Sequence, residues 1–398
     1  MLTVFQNLRP RAKQVPVAEP AGDATKTLEG ILRAAAREHA SDVHLEPKED
    51  GLRVRFRIDG EMREHVRLSL SHREPVIARG KIFGGMDITE RRLPQDGRST
   101  LHEDGKRFHL RLSTLPTVHG ESLVIRLLDQ TMPVQSFEQL GFTSEQSATL
   151  HAALGGPAGL IFLTGPTGSG KSTTLHAALQ AFDPAGRVIH TLEDPVEYEF
   201  AAIRQTEIRE KTGLTFANSL RALLRQNPDI LLVGETRDTE TAQLAVRAAL
   251  TGHLVLSTLH TNDALAAIPR LRDLGVESFL LAASLRLVAA QRLVRRLCER
   301  CKQPHPENAR LSETHGLPDA RFFRAVGCAT CRGRGYQGRL AIHEVFAADK
   351  LLPLIAGGAS LSELVALRDR ESWQTLWRHG LRVASRGDTT IEEVARVL

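Results

Sequence analysis

The chain has 398 residues, 41% hydrophobic and 25% charged, a composition ordinary for a globular protein and long enough for two or three domains with cores of their own. No run approaches the roughly 18 apolar residues a membrane span needs, and Met1–Pro20 lacks the basic-then-apolar layout of a signal peptide; the expectation is a cytoplasmic protein whose membrane contact comes only through partners. The net charge of +5 is not gathered into one basic run, so the charge makes no case for direct nucleic-acid binding.

Residues 1–25 carry Pro10, Pro16, Pro20 and Gly22 with little periodicity and read as a flexible lead-in. Leu28, Ile31, Leu32 and Ala35 recur at helical spacing. Leu52, Val54, Phe56 and Ile58 alternate with charged residues up to an Asp59-Gly60 turn, the pattern of a half-buried strand. Phe108, Leu110 and Leu112 alternate likewise, and 123–128 reads as a further strand. Residues 26–130 are therefore expected to form a small α+β domain with an antiparallel sheet, followed by a linker at 131–145. From 146 to 297 short apolar runs at 160–163, 188–192, 230–233 and 254–256 alternate with helical stretches, which indicates a parallel sheet covered on both faces. Residues 346–398 read as helical, with Thr390 and Glu393 placed for a capping box on the last helix.

The stretch Gly165-Pro166-Thr167-Gly168-Ser169-Gly170-Lys171-Ser172 fits G-x-x-x-x-G-K-[ST] in full. An apolar strand precedes it, and Thr173 to Ala181 can form the helix that follows. Glycines let backbone amides curl around phosphate oxygens, and the helix N-terminus adds a favourable dipole. Lys171 would reach the β and γ phosphates of ATP, and Ser172 would offer its hydroxyl to Mg²⁺. Two acidic clusters, Glu193-Asp194 and Gly234-Glu235, each follow an apolar strand, as groups must that meet at one edge of a parallel sheet. Chemistry alone leaves open which glutamate activates water and which serves the metal.

All four cysteines, Cys298, Cys301, Cys328 and Cys331, lie in one stretch as two C-x-x-C pairs. Thiolates so spaced can wrap one tetrahedral Zn²⁺, which predicts a tetracysteine subdomain at 298–345 with a closed, structural site.

These residues resemble those of the secretion traffic ATPases, the family of the type II secretion and type IV pilus ATPases. Ala40–Pro47, Arg55–Gly60 and Glu90–Arg98 are similar to that family's N-terminal, PAS-like domain. Glu193–Glu197 resembles its Asp box, Gly234–Asp238 its Walker B region, and Thr251–His253 through Ser257–Asn262 its His box. The resemblance, running from about residue 26 to the end, implies a RecA-like P-loop ATPase domain beside a small α+β domain, and a homo-hexamer. Glu193 would activate water, Glu235 would act with Mg²⁺, and His253, with His260 as second candidate, would sense the γ-phosphate. Arg98, Arg111 and Arg126 of the N-terminal domain would complete the site. The implied partners are an inner-membrane platform protein and a cytoplasmic docking protein, with the motor peripheral to the inner membrane. Only about 25 residues precede the first matching helix, which puts in doubt the docking mode of relatives with a further N-terminal domain. The cysteine pairs favour secretion or assembly ATPases over retraction ATPases, and aromatic residues at 5% argue against a strand-binding nucleic-acid translocase.

Overall fold

The computed structural model describes residues 17–18, 23–129 and 135–398. The predicted lead-in lies almost wholly outside them. The chain divides into two units, 1–132 and 133–398.

The first unit contains β1 (Val17–Ala18), α1 (Ala24–Arg37), β2 (Asp42–Lys48), β3 (Gly51–Ile58), β4 (Glu61–Ser69), α2 (Leu70–Phe83), β5 (Gln95–Glu103), β6 (Lys106–Thr117) and β7 (Gly120–Asp129). The strands form one sheet in the order β1-β4-β3-β2-β7-β6-β5, antiparallel except where β1 meets β4. The alternation seen in the sequence is the burial pattern: Leu52, Val54, Phe56 and Ile58 share a core with Leu28, Ile31 and Leu32 of α1 and Val76 and Ile77 of α2. The β3–β4 hairpin turns at Asp59 and Gly60, both with positive φ (53° and 85°), the type I′ geometry for which Asp-Gly is suited.

Strand register sets three arginines side by side. Arg98 on β5 pairs with Arg111 on β6, and Arg111 with Arg126 on β7. Arg126 in turn faces Asp42 on β2, and its Nε donates to that carboxylate at 3.0 Å. Like charges directly opposite one another on a sheet repel, so this row concentrates positive charge at one place on the unit.

The second unit contains α3 (Ser144–Leu154), β8 (Gly159–Thr164), α4 (Lys171–Gln180), β9 (Ile189–Glu193), β10 (Arg204–Glu207), α5 (Phe216–Leu223), β11 (Ile230–Val233), α6 (Thr239–Leu250), β12 (Leu254–Leu259), α7 (Ala267–Asp273), α8 (Ser278–Ser284), β13 (Leu285–Leu297), β14 (Gln303–Pro304), α9 (Asn308–Thr314), β15 (Phe323–Arg324), β16 (Tyr336–Ala347), α10 (Leu352–Ala356), α11 (Leu361–Arg370), α12 (Leu376–Ser385) and α13 (Ile391–Val397). Its main sheet runs β10-β9-β11-β12-β8-β13-β16, parallel throughout except for β16. Apolar residues of successive strands project alternately into two cores. Leu160, Phe162, Leu231 and Val233 pack with α5–α8 and the C-terminal helices. Ile161, Leu163, Ile230 and Leu232 pack with α3 and α4. The sheet is thus buried on both faces, which is why its strands read as continuous apolar runs.

Three features depart from the sequence reading. The segment 285–297 shows no alternation, yet forms the long strand β13. Residues 336–345, expected within the cysteine subdomain, belong to β16 of the main sheet. The Thr390 hydroxyl does cap α13, accepting from the Glu393 N–H at 3.1 Å. Its partner's carboxylate, however, is drawn away: it accepts from the Arg295 N–H at 3.0 Å, the Arg295 guanidinium at 2.7 Å and Arg396 at 2.7 and 2.6 Å. Two guanidinium groups and a strand amide outcompete a single cap amide. Removing one member of such a buried pair leaves an uncompensated charge and costs about 3–5 kcal/mol. Glu393→Ala is therefore expected to lower the thermal midpoint by roughly 5–10 °C, read by differential scanning fluorimetry, whereas Arg396→Ala at the exposed side should move it far less.

Candidate nucleotide and metal sites

The phosphate loop leaves β8 at the C-terminal edge of the parallel strands and enters α4 at Lys171. Gly165, Gly168 and Gly170 hold φ of 146°, 77° and 87°. A Cβ at Gly165 would stand 2.6 Å from the Gln291 carbonyl oxygen, and one at Gly170 would stand 2.7 Å from the Gln291 Nε2. Position and close approach both demand glycine. No side chain caps α4, so its first amides are left for a ligand. Within the loop the Ser169 hydroxyl is buried without a hydrogen-bond partner. An open helix N-terminus, an orphaned hydroxyl and a cradle that excludes side chains fit a polyphosphate.

Lys171 donates through Nζ to the carbonyls of Gly165 (2.6 Å) and Pro166 (3.0 Å), folded over the loop. Burial pulls its pKa down to about 8; Glu235 opposes that shift and Arg292 adds to it. Ser172 follows in an exposed position at the helix start, where a Mg²⁺-bound hydroxyl belongs.

The carboxylates emerge at the same edge. Glu235 follows β11 and pairs with Arg237 (2.7 Å) and His260 (3.7 Å). Burial and the charge of Lys171 hold His260 below its usual pKa, against the pull of Glu235. Lys171, Glu235 and His260 therefore form one electrostatic group. Glu193 ends β9 and is buried. Thr191 Oγ1 donates to its Oε1 at 2.6 Å, Gln205 Nε2 to the same oxygen at 3.0 Å, and His176 Nε2 lies 3.1 Å from Oε2. Burial alone would raise its pKa; the three hydrogen bonds outweigh it and hold the carboxyl below the ordinary glutamate value.

His253 is not brought to this group. It precedes β12, and its carbonyl accepts from Gly159 at the start of β8, whereas the phosphate loop lies beyond the end of that strand. Six residues of strand separate the two edges, ~20 Å at about 3.3 Å per residue. The His253 ring sits 2.9 Å from the Ala248 carbonyl, at the end of α6. Of the two histidines in the motif, His260 stands at the phosphate edge.

Two residues at the site gave no signal in the sequence. Gln291, buried on β13, donates through Nε2 to the Ser169 carbonyl at 2.7 Å and accepts through Oε1 from the Thr174 hydroxyl at 2.8 Å. Its neighbour Arg292 donates to the carbonyls of Asn262 (2.6 Å) and Gln291 (3.1 Å). Together they tie the phosphate loop to the loop after β12.

The four cysteine sulfurs lie within 4.8 Å of one another, with Cys298–Cys328, Cys301–Cys331 and Cys328–Cys331 at 3.9, 3.7 and 3.8 Å. A tetrahedron with Zn–S bonds of about 2.3 Å has edges of about 3.8 Å. Amides of Gly327, Cys328 and Gly335 donate to Cys301 and Cys331 at 3.1–3.3 Å, the outer shell expected of a thiolate site. The N–H groups of Cys328 and Gly335 overcome burial and lower Cys331 to about 6. The four thiols fit zinc, and four protein ligands would leave no open position on it. The module closes the end of the β13–β16 hairpin.

Glycine loop, helix N-terminus, lysine and carboxylates on adjacent strands of a doubly covered parallel sheet define a RecA-like P-loop ATPase. Residues 18–396 match the family model of the type II/IV secretion system protein, and the chain belongs to that family. It is 46% identical over 378 residues to the type IV pilus assembly ATPase PilB of Thermus thermophilus, covering 93% of this chain and 42% of that protein, so it spans less than half of that relative's length. It is 44% identical over 395 residues to the type II secretion system protein E of Aeromonas hydrophila, covering 97% and 79%. The solved structure of the pilus retraction motor PilT with ADP superposes with a TM-score of 0.65 at 26% identity, covering 93% of this chain and 96% of that one. Among the described residues no helix is long and apolar enough to cross a membrane.

Two outcomes follow from the site. Because free Lys171 titrates near 8 and bound phosphates favour its charged form, ATP binding at about pH 8.5 should take up a proton. Binding enthalpies measured by calorimetry in buffers of different ionisation heat should reveal that uptake, and it should vanish near pH 6.5. Elemental analysis of the purified chain should give one zinc per protein, and Cys301→Ser should lose both the zinc and several degrees of thermal midpoint.

Proposed function

We propose that this chain is a hexameric motor that hydrolyses ATP to ADP and phosphate to drive assembly of a pseudopilus or type IV pilus for protein secretion across the envelope. The observation that carries it is the convergence of the Gly165–Ser172 loop, Lys171, Glu235, His260 and Glu193 on one sheet edge, in a chain of the type II/IV secretion family. Mg²⁺ would be held by Ser172 and Glu235. When bound it supplies charge for the phosphate oxygens; the chain's own groups then orient the reacting parts. Glu193 accepts the proton of the attacking water. His260 and Lys171 meet the terminal phosphate. His253 is left out of that role by its position.

The domain assignment we propose gives 26–130 the arginines, 131–145 the linker, 146–297 the nucleotide site, 298–335 the zinc module and 346–398 the closing helices, with 336–345 completing the main sheet. Arg98, Arg111 and Arg126 reach the nucleotide of a site shared within the ring. Their alignment in one register row, which gathers positive charge at one place, supports an anionic partner. Inner-membrane platform and cytoplasmic docking proteins receive the motion, and they hold the cytoplasmic motor at the inner membrane. A retraction motor is the second reading, favoured by the likeness to PilT; the tetracysteine site favours assembly.

The test is a Glu193→Gln protein and the matching chromosomal allele. ATP turnover should fall about 10²–10⁴-fold with ATP binding retained, and the allele should abolish pilus or pseudopilus formation. Turnover at the normal rate would defeat the assignment of Glu193. Hyperpiliation in the allele would select the retraction reading.

A further inference from the structure

His176 lies on α4, five residues beyond Lys171, and is almost wholly buried at 1% exposure. Its Nε2 lies 3.1 Å from Glu193 Oε2. Thr191 and Gln205 both act on the other oxygen, Oε1. His176 is thus the hydrogen-bond partner of Oε2, the oxygen with a lone pair left for water.

The ring itself has little freedom. Tyr198 and Phe200 pack edge-on against it, with centroids 5.5 and 5.3 Å away. Gln205 fixes that aromatic loop: it accepts from the Phe200 N–H at 2.8 Å and donates to the Tyr198 carbonyl at 2.8 Å while donating to Glu193. A carboxylate can only accept, so the hydrogen is on His176 Nε2. Nδ1 is then buried with no hydrogen-bond partner. Leaving a polar atom buried and unpaired costs stability, so an ordinary packing residue would serve the fold better here than histidine does.

We propose that His176 is a positioning residue for hydrolysis: it holds Glu193 in the orientation that accepts the water proton and ties that orientation to the helix whose N-terminus binds the phosphates. Any displacement of α4 on nucleotide binding is carried to Oε2 through one hydrogen bond. The inference rests on the reading of Glu193 as the water-activating group.

The groups facing Glu193 define what a pH measurement reads. His176 from α4 and Glu207, in register on β10, are titratable; Thr191 and Gln205 are not. The experiment uses the full chain with three variants. His176→Phe keeps an aromatic ring against Tyr198 and Phe200 but donates nothing. His176→Gln restores an N–H at similar reach. Glu193→Gln tests the underlying reading. In steady-state ATPase assays from pH 8 down to below the ordinary glutamate pKa, about pH 4, His176→Phe should lower kcat about tenfold or more with KM for ATP within about twofold. Its acid limb should move to higher pH, because Glu193 has lost a donor to its charged form. His176→Gln should recover most of kcat and return the limb. If Glu193→Gln is inactive while His176→Phe shows wild-type kcat and acid limb, the inference is overturned and the role of Glu193 stands. If Glu193→Gln is fully active, the underlying reading fails, and the inference with it. Should His176→Phe not fold, His176→Met, apolar and adaptable, supplies the same comparison against His176→Gln with the same two outcomes.

Discussion

The pairing of β8 with β13 is the constraint on which the nucleotide site depends. A loop whose amides must face a ligand cannot satisfy them internally, so its shape has to be imposed from outside. β13 imposes it. Running parallel to β8 through Ala290 and Thr164, it brings the Gln291 amide under the loop, where one end grips Ser169 and the other Thr174 at the start of α4. The same contact excludes any Cβ at Gly165 and Gly170. The glycines of the motif thus answer two demands at once: positive φ, and the close approach of a neighbouring strand.

Around this anchor the parallel sheet does the sorting. Every parallel strand delivers its C-terminal end to one edge, so residues just beyond β8, β9, β11 and β12 meet there, whatever their separation in sequence. Glu193, Glu235 and His260 arrive this way. Their environments then differ. Glu193 is buried and held by Thr191, Gln205 and His176, while Glu235 sits among charges and shares its field with Lys171. Two carboxylates in such different settings are suited to different tasks: one to take a proton, the other to hold a cation.

Much of this was legible in the sequence. The phosphate loop, both acidic clusters and the four cysteines occupy the positions their spacing implies. The alternating strands of the first unit are buried on the side their apolar residues mark. The failures have physical causes. β13 reads LRLVAAQRLVRRL, rich in good helix formers and without period-2 alternation. Its two neighbours in the sheet and its cover on both faces decide its state, and neither is local information. Gln291 and Arg292 were unreadable for the same reason. His253 is a different case: it immediately precedes β12 and His260 immediately follows it, so the two are separated by the length of that strand. The capping box at Thr390 failed halfway because Arg295, distant in sequence, offered Glu393 a stronger partner.

β13 has one further property. It continues from Gln291, beneath the nucleotide loop, to Leu297, immediately before Cys298. Its far end is fastened to α13 through Arg295 and Glu393. A metal bound by the cysteines would clamp that end a second time by closing the hairpin with β16. The stretch from the middle of the strand, where it meets the nucleotide loop, to this end, where a metal would bind, is then a beam held at both points. Rigidity at the phosphate loop would then depend partly on a site about 20 Å away along the strand. Metal occupancy at the cysteines would thus have a mechanical route to the stiffness of the nucleotide site.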